Sequence, residues 1–258
     1  MFKRFRIAVL LYILLFVALG QFLTARRSTD WNDSLWIDVY LVNGSGTGEA
    51  QSYIDSLQPN AFEAVEEFFG QQARAYGVFL DQPFRIRLAD QLGDSLPPVP
   101  QNGGLFATVL WSLRMRWFVT RLHWSSDEPT PDITLFAIYQ DGDLGSTIDR
   151  STALRKGMIV IANLFAERSV TGSNQMIVAH ELLHTLGATD KYDPATTLPL
   201  YPIGFAAPDQ SPLYPQRHAE LMAGRIPINA KTSTVPHSLN DVSIGPLTAS
   251  EIGWTQSR

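Results

Sequence analysis

The chain contains no cysteine. Disulfide bonds, a thiolate nucleophile and thiolate-ligated metal sites are therefore excluded. Histidine is scarce, with five in 258 residues. Charge is thin too: 17% of residues are charged and the net charge is −5. No long run of like charge occurs, and no basic stretch of the kind that neutralises phosphates, so nucleic acid is not an expected partner. The glycine-rich stretch Asn43-Gly44-Ser45-Gly46-Thr47-Gly48 lacks the Gly-Lys-Ser/Thr ending of a phosphate loop and reads as a turn. No internal repeat is visible. Apolar residues make up 45% of the chain, enough for one good-sized core.

Lys3, Arg4 and Arg6 precede an almost unbroken apolar run over residues 7–23, closed by Arg26 and Arg27. A basic stretch followed by an apolar one reads as an export signal. The run sits at the short limit for crossing a bilayer, about 17 residues. Ala18-Leu19-Gly20 offers a small-x-small cleavage site, whose use would release a secreted form. The run continues through Phe22 and Leu23, which favours an uncleaved anchor. Residues 1–27 are thus expected to be a signal anchor or transmembrane segment, and residues 28–258 one domain exported to the periplasm or the extracellular space.

Within that domain, residues 35–42, 84–88, 133–139 and 157–163 have the composition or alternation of strands. Residues 51–76 show helical spacing, interrupted at Pro59. Residues 105–124 carry Phe106, Val109, Leu110, Leu113, Trp117 and Trp124 on one side, with Arg114 and Arg121 beyond the stripe. Tryptophan and arginine on one helix also suit a membrane surface; packing of the stripe within the domain is the expectation. Residues 194–215 are rich in proline and aromatics, without periodicity, and are expected to form one wall of a substrate cleft. Residues 245–254 read as a short capped helix.

The stretch with chemistry is His180-Glu181-Leu182-Leu183-His184-Thr185-Leu186-Gly187-Ala188-Thr189-Asp190. On a helix, histidines at i and i+4 lie one turn apart on one face and can reach one metal ion. Imidazole nitrogen suits zinc, and a catalytic zinc keeps three protein ligands and one open position. Glu181, directly after the first histidine, is placed to accept a proton from water. Leu182, Leu183 and Leu186 supply an apolar side for the core. Ser173 is a plausible N-cap. Gly187 suits the left-handed turn that ends a helix, and that turn brings Asp190 back towards the imidazoles.

This pattern resembles the zinc metallopeptidases called zincins, and more narrowly the metzincins, whose signature is HExxHxxGxx followed by His or, in some members, Asp. The resemblance rests on residues 173–224. It implies an α/β (α+β) zincin-like catalytic domain with a mixed sheet and an active-site helix, acting on a peptide or protein substrate with a Zn2+ cofactor. His180, His184 and Asp190 become the expected metal ligands and Glu181 the general base. Glu220 and His218 remain alternative third ligands, since other zincins take a glutamate from a later segment. Asp193 is expected to orient an imidazole. Tyr192, with Tyr201 and Tyr214 as alternatives, is the expected donor to the oxyanion. Leu221-Met222-Ala223-Gly224 resembles the metzincin Met-turn. The strand before the metal helix, residues 158–163, becomes the expected sheet edge that pairs with extended substrate. Two departures stand out: Asp rather than His at the third position, and no identifiable pro-segment. A zinc-containing binding module without turnover and a hydrolase of non-peptide amides are the competing readings.

Overall fold

A computed structural model describes residues 28–93, 96–100, 104–142 and 151–255, together with Arg6 and Tyr12. The expected anchor over residues 7–23 lies, apart from Tyr12, outside the described residues. Among the described residues no helix is long and apolar enough to cross a membrane.

The order of elements is β1 (Leu35–Asn43), α1 (Gly48–Asp55), α2 (Glu63–Ala75), β2 (Phe84–Leu88), α3 (Leu105–Trp124), β3 (Ile133–Gln140), β4 (Thr152–Leu154), β5 (Ile159–Phe165), α4 (Thr171–Leu186), β6 (Ala219–Glu220), β7 (Ile226–Asn229), β8 (Thr232–Thr234), β9 (Val242–Ser243) and α5 (Pro246–Glu251). The first five strands form one mixed sheet in the order β2-β1-β3-β5-β4. All neighbours are parallel except β4, which runs antiparallel to β5. Parallel strands need covered faces, and these are covered on both sides. Ile37, Val39, Leu135, Val160 and Leu164 point into the larger core, beneath α2 and α4. Their alternating neighbours Tyr40, Phe136, Ile159 and Ile161 pack against α3 on the second face.

Several boundaries follow from capping and packing. Pro59 falls between α1 and α2, as the break in periodicity implies. Helix α4 begins at Thr171, two residues before Ser173, which is buried inside the helix. The start is set by a 3-10 turn over Arg168–Val170, whose Ser169 N–H is met by the Glu167 side chain. Asn174 then ties α4 to the end of β5 by bonding both Phe165 N and Phe165 O, at 3.0 and 2.8 Å.

Two expectations are corrected here. The strand before α4 is not the sheet edge along its first half. Thr152, Ala153 and Leu154 pair with Ile161, Val160 and Ile159, so β4 forms the edge there. The stripe of α3 that packs is also the other one: Trp111, Met115 and Val119 are buried, whereas Phe106, Leu113, Trp117 and Trp124 are exposed. The helix is apolar nearly all round, so periodicity alone does not select the face that meets the sheet.

Candidate metal centre

Helix α4 buries Met176, Val178, Ala179, Leu182, Leu183 and Leu186 in the larger core. That leaves His180 and His184 on its partly open side, with the rings 4.7 Å apart between centroids and nearly perpendicular. The helix ends at Gly187, whose φ of 108° places it in the left-handed region. A Cβ at this position would lie 2.6 Å from the Arg155 guanidinium, a side-chain end that can move aside, so it is the left-handed conformation that favours glycine. Gly187 N donates to Leu183 O and His184 O, and Ala188 N to Leu183 O, closing the helix and reversing the chain.

The reversal brings Asp190 to the histidines. Asp190 Oδ1 lies 3.2 Å from His180 Nε2 and 3.2 Å from His184 Nε2, and the two Nε2 atoms are 3.0 Å apart. Three donor atoms thus form a near-equilateral triangle. Ligands on a tetrahedral zinc at about 2.0–2.1 Å stand roughly 3.3 Å apart, close to these edges. The opposite nitrogens carry the tautomer argument. His180 Nδ1 lies 3.0 Å from Leu221 O, and His184 Nδ1 lies 2.8 Å from Ala188 O. A carbonyl only accepts, so each Nδ1 is the protonated nitrogen and each Nε2 can offer its lone pair to an ion. Two imidazoles and one carboxylate suit a divalent transition-metal ion, zinc among them. The donor chemistry therefore fits.

Charge in the cluster is consistent with that set. Burial opposes ionisation of Asp190, but the two imidazoles outweigh it and hold the carboxyl well below the usual carboxylate range. Burial also opposes a proton on His184; the bonds to Asp190 and Ala188 O prevail and raise its pKa. Such groups this close share either protons or a cation.

Glu181 is buried beside His180. Its carboxylate, with the two imidazoles, forms a group of ligand atoms within 4.8 Å of one another. A largely apolar cavity of about 250 Å³ opens next to this pair. Met176, Ile177, Leu221, Val235 and Val242 supply most of its apolar lining. Residues 194–215, expected as a cleft wall, contribute none of its described lining.

The alternative ligands are placed elsewhere. Glu220 is fully buried and its carboxylate accepts from Thr248 Oγ1 at 2.7 Å, Ala223 N at 3.0 Å and Gly245 N at 3.1 Å. It pins the turn carrying Met222 to the start of α5. His218 is exposed and borders a separate groove with Gln71 and Gln72. Asp193 does not orient an imidazole: its Oδ1 accepts from Ala195 N and Thr196 N, closing a local turn. The carbonyls of Leu221 and Ala188 take the orienting part instead. Sequence reasoning had no handle on them, because every residue type carries a carbonyl.

Met222 is fully buried in the larger core, and its carbonyl accepts from Lys191 N at 2.9 Å. The Met222 turn and the Asp190 loop are therefore joined through backbone. Tyr192 is half-buried, with a backbone bridge to Pro199. Tyr201 is exposed and Tyr214 half-buried, and both flank Phe205. Lys191 is completely buried and donates to Thr189 O, Thr189 Oγ1 and Glu251 Oε2 at 2.8, 2.7 and 2.6 Å. Sequence reasoning passed over this lysine. A lysine beside a candidate ligand was the available signal.

No family model matches the chain. No curated protein matches it significantly in sequence.

Proposed function

We propose that the chain is a zinc-dependent peptidase of zincin type, which hydrolyses peptide bonds outside the cytoplasm. The observation that carries this reading is the triangle of His180 Nε2, His184 Nε2 and Asp190 Oδ1, with buried Glu181 beside it. A zinc ion held there would supply Lewis acidity to a substrate carbonyl and to water. His180, His184 and Asp190 are its ligands, and Leu221 O and Ala188 O keep the two imidazoles in the ligating tautomer. Glu181 accepts the proton of the attacking water at its carboxylate and returns it to the leaving amine, so it is general base and then general acid. Tyr192, two residues beyond Asp190, is the proposed hydrogen-bond donor to the oxyanion.

Substrate backbone is proposed to add to the sheet at β4, the edge that replaces the one expected from sequence. One substrate side chain would then enter the apolar cavity beside Glu181, which favours aliphatic or aromatic residues there. Residues 7–23 would tether the domain to the membrane. A structural zinc site is closed and needs no base beside its first ligand, so Glu181 favours turnover over a binding module.

The test is Glu181→Gln, assayed for zinc content and for digestion of a broad peptide library. The expected variant holds stoichiometric zinc and cleaves nothing. Equal cleavage by wild type and variant at equal zinc content refutes the mechanism.

A further inference from the structure

Helix α3 covers the second face of the sheet and is apolar on both of its own sides. Trp111, Met115 and Val119 form the inner row, buried against Tyr40, Phe136, Ile159 and Ile161. At 3.6 residues per turn, Phe106, Leu113, Trp117 and Trp124 fall within about 40° of one another, on the side opposite that row. They are 81, 55, 65 and 82% exposed. Leu105, Val109 and Leu110 extend the same surface and are exposed as well. A lone exposed leucine is ordinary, but a contiguous apolar patch rimmed by charge marks a contact surface.

Charge identifies the partner. Helix α3 contains Arg114, Arg116 and Arg121 and no acidic residue, in a chain whose net charge is −5. Arg114 and Arg121 are exposed and stand two turns apart along one flank of the apolar row. A second copy would set these arginines against arginines. The chain's own apolar run over residues 7–23 is bordered by Lys3, Arg4, Arg6, Arg26 and Arg27, again of the same sign. An anionic lipid surface answers every part of the face. Its phosphates attract the arginines, its acyl boundary accepts Phe106 and Leu113, and its headgroup layer is the preferred place for Trp117 and Trp124.

We propose that α3 docks the domain onto an anionic phospholipid bilayer, lying in the membrane surface with Phe106, Leu113, Trp117 and Trp124 inserted. Three arginines in one helix suit a surface position and not a span. The fold orients the docked molecule. Helix α4 lies on the opposite face of the sheet, so the metal centre is turned away from the lipid. The Trp124 end of α3 adjoins the start of β3, where His123 Nε2 meets Thr134 Oγ1 at 3.0 Å. That is also where β1 begins, since Ile37 is paired with Ile133. Residues 28–34 thus enter the fold at the docked end.

The absence of native cysteine makes a clean test possible. Full-length chain carrying Leu113→Cys is labelled with an environment-sensitive fluorophore. It is then reconstituted into vesicles of phosphatidylcholine, with or without phosphatidylglycerol. Emission should shift to the blue on vesicles containing phosphatidylglycerol. The same label at Glu67→Cys, exposed on α2 across the sheet, should keep its aqueous emission. Replacing Arg114 and Arg121 by serine should weaken docking about fivefold per arginine. Aqueous emission from the Leu113→Cys label on anionic vesicles overturns the proposal. So does a blue shift indifferent to both phosphatidylglycerol and the two arginines. Efficient disulfide cross-linking of the unlabelled Leu113→Cys chain to itself would assign the face to a second copy and likewise overturns it.

Discussion

Lys191→Met puts the scaffold of the metal loop to a quantitative test. The lysine is wholly buried, and its ammonium donates to Thr189 O, Thr189 Oγ1 and Glu251 Oε2. Thr189 in turn donates its N–H and hydroxyl to Glu251, at 3.1 and 2.7 Å. The residues on either side of Asp190 are therefore tied to α5 through one carboxylate. Breaking a buried ion pair by removing one partner costs about 3–5 kcal/mol. Here Glu251 keeps both Thr189 donors, and its side chain is 21% exposed, so the loss should be about 2–3 kcal/mol. For a domain of this size each kcal/mol lowers the melting temperature by roughly 2–4 °C, giving a fall of about 4–12 °C. The assay is calorimetry on chelator-treated protein. Zinc affinity should fall by about 10–100-fold, the range for loss of a group that supports a ligand. The pH dependence is set by Glu251: burial opposes its charge, but Lys191 and Thr189 outweigh burial and lower its pKa. A lowered carboxyl contributes stability above its unfolded pKa and loses it as pH falls through the folded one. The difference between wild type and variant should accordingly shrink in acid. A Lys191→Met protein that melts with wild type at neutral pH refutes the reasoning.

Asp190→Ala removes one corner of the donor triangle and should weaken zinc binding well beyond 100-fold in a chelator competition; His218→Ala should leave zinc stoichiometric. Glu220→Gln should also retain zinc, while its melting temperature falls because a buried carboxylate with three donors becomes an amide. Gly187→Ala forces a side chain into a left-handed conformation and against Arg155, so unfolding in urea should show a loss of more than about 1 kcal/mol. Zinc held there would displace from His184 Nε2 the second proton that Asp190 helps it to keep. Affinity measured by titration should therefore fall as pH drops below neutrality, with proton uptake by the buffer on binding. In metal-free protein the raised His184 stabilises the fold below its unfolded pKa and loses that contribution as pH rises. The lowered Asp190 stabilises it above the usual carboxylate range. The cluster's contribution to the melting temperature should thus peak between those two ranges.

Much of this architecture was legible in the residues. Helix α3 ends where its apolar pattern ends, and Gly187 marks the close of α4, because both signals are local. The HExxH spacing put two imidazoles on one face for the same reason. What could not be read depends on distant partners. Whether Trp111 or Trp117 meets the sheet is decided by Tyr40 and Phe136, on strands outside the helix's own stretch of sequence. Strand β4 is three residues long, too short to show alternation, yet it takes the edge along the first half of β5. Glu220 stood as an alternative third ligand because a carboxylate in sequence carries no mark of its donors, and those come from residues 223, 245 and 248.

The aromatic contacts around Trp31 bear on the order in which the molecule can come together. Trp31 stacks edge-on against Phe84 and Trp254, and its indole nitrogen donates to Ile252 O at 2.8 Å. Phe69 closes the group by touching both Phe84 and Trp254. Strand β1 meanwhile finds its two neighbours at Phe84 and Ile133, with no partner close by in sequence. These closures are long-range, and long-range pairing slows folding. Until residues 251–254 are present, Trp31, Phe69 and Phe84 lack their cover and Lys191 lacks Glu251. A chain not yet synthesised through Trp254 therefore carries its histidines in sequence without the packing that holds the Asp190 loop to α5.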